Sequence, residues 1–314
     1  MSRIAILPES LKNKIAAGEV VERPASVVKE LIDNAIDAQA SRIDIEAIGA
    51  GKRLIRVSDN GCGMDNEDAM LCFQPHSTSK IATEEDLYNL RTLGFRGEAL
   101  ASIAAVSRLT INTALNGQLG ISIEIEGGLV KKTLPIATKG TTMEVRSLFF
   151  NTPARLKFLK SDTTENHHIL ETVTKIALCN DTISFYLTLG GTQALTLPKA
   201  RSKIERIQQI YGKDFTDRLI EVPLSDGDIS GTIFIGEKGL YRNNKQGQRV
   251  FVNQRPVRDY GLSYAVYKAL EGLMPMQLHP VFFIYLQVAS NLVDFNVHPT
   301  KSEVRFADKE APFR

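Results

Sequence analysis

The stretch P-A-S-V-V-K-E-L-I-D-N-A-I-D-A, Pro24 to Ala38, decides how this chain is read. Pro24 suits a first helical turn. Val27, Val28, Leu31, Ile32 and Ala35 recur at three- and four-residue spacing, so the segment reads as a helix with one apolar stripe. On the remaining face Glu30, Asn34 and Asp37 fall at i, i+4 and i+7, which aligns a carboxylate, an amide and a second carboxylate. Alone, such a row is the ordinary solvated face of a helix. Its functional reading is a rigid set of oxygen acceptors, in which Glu30 polarises a water and the Asn34 amide oxygen ligates a phosphate-borne Mg2+. Working outward, Ile43 to Ala47 and Leu54 to Val57 alternate apolar with charged residues across Gly49 and Gly51, as an antiparallel strand pair joined by a turn does.

The second strand runs into D-N-G-C-G-M, Asp59 to Met64. Gly61 and Gly63 permit positive φ and a close approach to a flat ligand, and Asp59 is placed to accept a hydrogen bond from an exocyclic amine such as adenine N6. The same residues also read as a glycine-rich turn capped by Asp59. Further on, H-S-T-S-K (His76 to Lys80) supplies hydroxyls and an ammonium in the polar loop Thr78-Ser79-Lys80, suited to a lid over a triphosphate. G-F-R-G-E-A-L (Gly94, Phe95, Arg96, Gly97, Glu98, Ala99, Leu100) passes from loop into helix, where free N–H groups can cradle phosphate oxygens. Gly140, Thr141 and Thr142 lead into a strand, and a threonine hydroxyl there can join a water network around a base. Each signal is weak in isolation. Two familiar nucleotide motifs are excluded: Gly231 and Gly236 have P-loop spacing but are followed by Glu237 and Lys238, and Gly49 and Gly51 lack a third glycine.

A length of 314 residues suits two domains. The polar, basic stretch Pro198 to Lys203 is the expected boundary, giving domains 1–200 and 201–314. Past it the pattern predicts a helix from Ser202 to Tyr211 and strands near Leu219 to Val222, Ile229 to Ile235 and Arg249 to Val252. A helix from Asp259 to Leu273 and a strand from Val281 to Val288 follow. The fold class is α+β. With 43% apolar and 24% charged residues and no apolar run near the ~18 residues of a membrane span, the chain reads as globular with no membrane partner. Met1 to Ala17 lacks the layout of a signal peptide. Cys62, Cys72 and Cys179 form no C-x-x-C spacing, which points to a reducing, cytoplasmic compartment. Cys62, Cys72 and His76 match no zinc pattern. The net charge is only +2, but Lys238, Arg242, Lys245, Arg249, Arg255 and Arg258 fall in one segment without an Asp or Glu. That segment is either a solvated basic surface or a phosphate-contacting one.

Taken in order, six strings resemble the GHKL ATPase superfamily and, within it, the MutL family of DNA mismatch-repair proteins. They are K-I-A-A-G-E-V-V-E-R-P-A-S-V-V-K-E-L from Lys14, D-N-G-C-G-M from Asp59, T-S-K from Thr78, G-F-R-G-E-A-L-A-S-I from Gly94, F-N-T-P-A-R from Phe150 and V-H-P-T-K-S-E-V-R-F from Val297. The resemblance covers essentially the whole chain. It implies a GHKL (Bergerat-type) ATPase α/β sandwich followed by a smaller ribosomal-protein-S5-domain-2-like α/β domain. It makes Glu30 the general base, Asn34 the Mg2+ ligand, Asp59 the adenine reader with Asp37, Gly61, Gly63 and Met64 around it, and Thr142 a water-mediated helper. Gly94 to Leu100 become the phosphate loop, Thr78 to Lys80 the lid, and Lys301 the γ-phosphate contact.

The resemblance further implies slow ATP hydrolysis, ATP-driven dimerisation and sequence-independent DNA binding through Arg255 and Arg258. Its partners are the mismatch-recognition protein MutS and a downstream nuclease or helicase. Pro75, Gln254 and Asp33 depart from the usual family residues, which leaves the lid conformation and the turn before Arg255 open. No counterpart of the family's C-terminal dimerisation region lies within these residues. A nucleotide-gated module without functional hydrolysis is a different class of reading, disfavoured by Glu30 and Lys301. A topoisomerase subunit or chaperone would carry other strings in place of F-N-T-P-A-R and K-S-E-V-R-F.

Overall fold

Period-2 alternation builds the first sheet. In the computed structural model, β1 (Arg42–Ile48) and β2 (Leu54–Asp59) pair antiparallel, with Ile43 opposite Asp59 and Ile48 opposite Leu54. The turn between them holds Gly49 and Gly51 at φ +61° and +83°, and a Cβ on Gly51 would come within 2.6 Å of the Pro24 Cβ. The structure describes residues 8, 17–18, 20–79, 97–275, 277–289, 292–294 and 305–306. They fall into two compact units, one of Met1–Thr174 with Thr182–Lys199 and the other of Lys175–Asp181 with Ala200–Arg314. Among the described residues no helix is long and apolar enough to cross a membrane.

In the first unit, β3 (Arg108–Ala114), β4 (Gly120–Glu126), β5 (Leu129–Ile136), β6 (Gly140–Arg146), β7 (Ser184–Leu189) and β8 (Thr192–Leu197) complete an eight-stranded sheet of order β5-β4-β3-β6-β2-β1-β7-β8. Every adjacent pair is antiparallel except β1 with β7. The register aligns Ile123, Ile111, Met143, Val57, Ile45 and Leu187 in one buried row across the sheet. The opposite face carries Glu46, Arg56, Glu144 and Arg146 in a ladder of ion pairs, with Arg56 at 2.5 Å from Glu46 and 2.8 Å from Glu144. Burial acts against the charge on Glu144, but Arg56 and Arg146 prevail and hold it below the usual carboxylate range.

Helices cover the apolar face. α1 (Pro24–Asp37) packs on β1 and β2. Its buried residues include the whole expected stripe of Val27, Val28, Leu31, Ile32 and Ala35, and fully burying each larger aliphatic among them is worth about 1.5–3 kcal/mol. α2 (Asn66–Leu71), N-capped by the Asp65 carboxylate, and α3 (Ala99–Ala105) lie on β3 and β4. α4 (Pro153–Phe158) and α5 (Asp162–Cys179) follow. Gly18 meets the guanidinium of Arg155 so closely that a Cβ would sit 2.0 Å from Nη2. The first and fifth of the six strings therefore pack on each other.

The second unit is organised by a strand buried on both faces. Its sheet contains β9 (Leu219–Asp226), β10 (Ile229–Gly236), β12 (Gln248–Val252), β13 (Arg255–Val257) and β15 (Phe282–Val288) in the order β13-β12-β15-β10-β9. The short pairs β11 (Tyr241–Arg242) with β14 (His279–Pro280), and β16 (Val293–Asp294) with β17 (Arg305–Phe306), stand beside it. Phe282, Ile284 and Leu286 join a cluster with Val250, Val257, Leu262 and Val266, which brings in α8 (Tyr260–Ala269). Phe283 and Tyr285 pack instead with Leu178, Cys179, Ile207 and Phe251, so α6 (Lys203–Tyr211), followed by α7 (Lys213–Thr216), and the end of α5 serve the other core. Lys203 Nζ donates to the Cys179 carbonyl at 2.9 Å, and buried Arg206 donates to the Asp181 carbonyl at 3.0 Å. These contacts explain why residues 175–181 belong with the second unit, although sequence alone divides the chain near residue 200.

Gly231, whose spacing mimics a P-loop, lies inside β10, where a Cβ would meet the Tyr285 carbonyl oxygen at 2.0 Å. Gly231→Ala must therefore push β10 from β15. A loss of about 1–3 kcal/mol is expected from such overpacking, read as a lower denaturant midpoint. An unchanged midpoint would show that the strands part without cost.

Candidate functional site

The row of paired residues one step beyond the apolar row consists of Ile121, Thr113, Thr141, Asp59, Ile43 and Phe185. Asp59 and Thr141 thus stand side by side on the helix-covered face, at the end of β2. Asp59 Oδ1 accepts from the Gly61 N–H at 2.8 Å, and the Thr141 backbone N–H also donates to this carboxylate. Burial nevertheless dominates, pushing Asp59 up to about 6 against the two N–H donors. A half-buried carboxylate with this balance is the acceptor expected of a ligand-reading residue.

The glycine loop is clamped from both sides. A Cβ on Gly61 would lie 2.6 Å from the Ala38 carbonyl oxygen, and the Cys62 N–H donates to that same oxygen at 3.0 Å. Gly63 has φ +73°, and its Cβ would fall 1.9 Å from the Ala114 carbonyl oxygen. The Met64 N–H donates to Thr113 Oγ1 at 3.0 Å, and Thr113 Oγ1 lies 3.0 Å from Thr141 Oγ1. Glycine is thus required where the loop wedges between the end of α1 and the end of β3. Asn60 fixes the base of the loop by accepting from the Ser41 and Arg42 N–H groups, each at 2.9 Å.

Glu30, Asn34 and Asp37 lie half-buried along α1, and Asn34 and Asp37 are both engaged by neighbours. Lys29 Nζ sits 3.2 Å from Glu30 Oε1 and 2.8 Å from Asp33 Oδ2. Burial opposes the Lys29 charge, but the two carboxylates outweigh it and hold the ammonium above the usual lysine range. Asp33 is buried, which raises its pKa against the pull of Lys29. Neither Lys29 nor Asp33 carried a functional signal in the sequence. The oxygen donors on α1 suit Mg2+ held mainly by phosphates and waters, which asks only one or two ligands of a protein. Among the described residues no group of three or more His, Cys, Asp or Glu is placed to hold a metal ion.

Thr142 does not share the Asp59 face. Strand alternation turns it to the opposite side of the sheet, where its hydroxyl donates to Ser58 Oγ at 3.0 Å. The threonine beside Asp59 is Thr141. Gly97 has φ +62°, and a Cβ there would meet the Ser77 carbonyl oxygen at 2.5 Å, so the H-S-T-S segment lies against the start of α3. Glu98, Ala99 and Leu100 are half-buried, and Thr78 and Ser79 are exposed. Lys80, Gly94, Phe95, Arg96 and Lys301 lie outside the described residues. A depression of about 400 Å3 beside Met64, Leu115 and Leu119 adjoins the loop but is lined by none of Glu30, Asn34 and Asp59.

In the second unit the alternation of β13 separates the two expected DNA contacts. Arg255 is only 6% exposed and points inward with Val257, whereas Arg258 is exposed beyond the strand. A side chain turned into the core does not present its guanidinium to a phosphate backbone, so Arg255 is corrected to an interior residue.

The family described as Histidine kinase-, DNA gyrase B-, and HSP90-like ATPase matches residues 22–136, and that described as DNA mismatch repair protein, C-terminal domain, matches residues 207–314. The chain is 46% identical over 311 residues to the DNA mismatch repair protein MutL of Thermodesulfovibrio yellowstonii, covering 99% of this chain and 57% of that protein. Against the MutL of Syntrophotalea carbinolica identity is 47%, covering 97% and 49%. The chain therefore spans about half the length of the curated relatives it matches. Among solved structures it is similar to the Aquifex aeolicus MutL ATPase domain complexed with ADP, at TM-score 0.66 and 30% identity over 86% of this chain and 93% of that one. A second is the N terminal domain of a DNA repair protein, at TM-score 0.78 and 27% identity over 96% and 94%.

Proposed function

The chain belongs to the MutL family of DNA mismatch-repair proteins, and from that premise we propose that it binds ATP and hydrolyses it slowly to time a clamp on DNA. The observation that carries this reading is the glycine loop wedged between α1, with Glu30 and Asn34, and the Thr113–Thr141 pair, with Asp59 at its base. Asp59 accepts from the adenine N6 amine. Thr141, rather than Thr142, supplies the hydroxyl for a bridging water. Asp37, Gly61, Gly63 and Met64 line the base. Gly94 to Leu100 hold the phosphates, and Thr78, Ser79 and Lys80 close over them. Lys301 keeps the γ-phosphate role that the resemblance gives it.

Asn34 holds Mg2+, which supplies charge neutralisation on the phosphate oxygens. Glu30 orients the attacking water and takes its proton, and the half-buried helix face keeps that carboxylate rigid. ATP binding pairs two copies through their N-terminal regions, enclosing DNA in the cytoplasm and passing the signal from MutS to a nuclease or helicase.

Phosphate release with ATP, measured with and without Mg2+ and single-stranded DNA, tests the reading. Slow Mg2+-dependent release, faster with DNA, is expected; release indifferent to Mg2+ contradicts it. Arg258→Glu should weaken binding to every DNA sequence alike and flatten the log–log salt dependence by roughly one. It should also remove the stimulation by DNA. A variant with the parent's affinity and salt slope takes Arg258 off the DNA surface.

A further inference from the structure

We infer that Tyr260 and Tyr264 form a stacking platform for the bases of single-stranded DNA, with Arg258 and Lys268 taking the phosphates on either side. The inference rests on the DNA-binding part of the proposed function and names the form of DNA that this surface reads. On α8, Leu262 and Val266 are 5% and 8% exposed and join the core. Residues displaced by two from them lie about 200° around the helix. Tyr260, Tyr264 and Lys268, at i, i+4 and i+8, therefore form one outward stripe. Tyr260 is 80% exposed and Tyr264 68% exposed.

Arg258 stands exposed at the head of this stripe, at the end of the acid-free segment from Lys238. The intervening Asp259 turns its carboxylate onto the Leu262 N–H at 2.7 Å as the helix cap. The stripe thus reads cation, ring, ring, cation. Its charge complements a phosphate backbone, and its rings offer what a backbone alone cannot use.

Base faces are hidden inside a duplex but open in a single strand, where aromatic stacking is strong and tolerant of sequence. Rings one helical turn apart have Cβ atoms roughly 5–6 Å from each other, so neighbouring splayed bases can each meet their own ring. Neither phenol needs to ionise or donate, and a phenylalanine ring would serve as well.

The test compares the 314-residue chain with Tyr260→Ser, Tyr264→Ser and the matching phenylalanine variants. The probes are a dye-labelled oligothymidine and a duplex of equal length. Each serine change should weaken oligothymidine binding roughly ten-fold and leave the salt slope alone, because no charge is lost. The phenylalanine variants should bind like the parent, and duplex affinity should barely move. The chain has no Trp, so tyrosine emission can be followed directly; oligothymidine should quench it in the parent and less in the serine variants.

Parent affinity for oligothymidine in both serine variants overturns the platform. If Arg258→Glu still loses DNA in that case, the DNA surface survives without the rings; if it does not, the DNA reading fails as well. Serine variants that sediment as monomers where the parent self-associates, with unchanged oligothymidine binding, would assign the stripe to a contact between copies and overturn the inference.

Discussion

Phosphate release by a Glu30→Ala variant should fall by roughly 100-fold or more, the scale of a positioned general base, while ATP remains bound. The expectation follows from where Glu30 stands. It lies half-buried on α1, whose apolar stripe is locked onto β1 and β2, so its carboxylate is delivered by a rigid element. Lys29 Nζ, 3.2 Å away, also bonds Asp33 Oδ2 at 2.8 Å, which ties the Glu30 carboxylate to a buried partner one turn on. Asn34 and the Asp59 loop are untouched by the substitution. Filter binding of ATP and single-turnover phosphate release separate the two effects. Glu30→Gln should match the alanine variant, because an amide cannot take the proton from water. A Glu30→Ala protein that hydrolyses at the parent rate would remove Glu30 from the chemistry, and one that no longer binds ATP would give it a role in holding the nucleotide.

The parts of this molecule that were legible in sequence are those set by local periodicity. The stripe of α1 and the β1–β2 hairpin around Gly49 and Gly51 follow from spacing alone. So does the near-continuous apolar run of β15, a strand buried on both faces. The parts that were not legible depend on pairing over long distances. Whether Thr141 or Thr142 faces Asp59 is a question of parity, and parity is decided only once β6 pairs with β2 at Asp59 and Thr141. Arg255 looked like a surface cation because it sits in a basic run. Its alternation with Pro256, Val257 and Arg258 carried the contrary signal, and burial on β13 bears that out. The last turn of α5 joins the second unit because Lys203 grips the carbonyl of Cys179 and Arg206 that of Asp181 just beyond the helix, contacts that no window of sequence contains. The D-N-G-C-G-M loop was readable as a motif; the wedge that makes Gly61 and Gly63 obligatory needed the backbone of Ala38 and Ala114.

Nucleotide affinity should weaken as pH falls through about 6 and should lose that dependence in Asp59→Asn. The Asp59 carboxylate is pushed up from 3.8 to about 6, first by burial, with the Gly61 and Thr141 N–H groups pulling the other way. Reading an N6 amine requires the ionised acceptor, so below pH 6 each unit should cost the parent up to about ten-fold in ADP affinity, the limit for binding that takes place only in one protonation state. The phosphates of ADP titrate nearby, but they do so equally for parent and variant, and the difference between the two curves isolates Asp59. At pH 7.5 the variant should bind ADP roughly 10–100-fold more weakly, the scale of a hydrogen bond to a charged group. Stability should move the opposite way. A carboxyl whose folded pKa is raised binds its proton more tightly when folded, so stability is lost as pH rises from about 4 through about 6. Asp59→Asn should therefore melt above the parent at pH 7.5, by no more than about 3 kcal/mol, and the gap should close near pH 4. A parent whose ADP affinity is flat between pH 5 and 8, or a variant that binds and melts like the parent, would show that Asp59 neither reads the base nor stores strain for it.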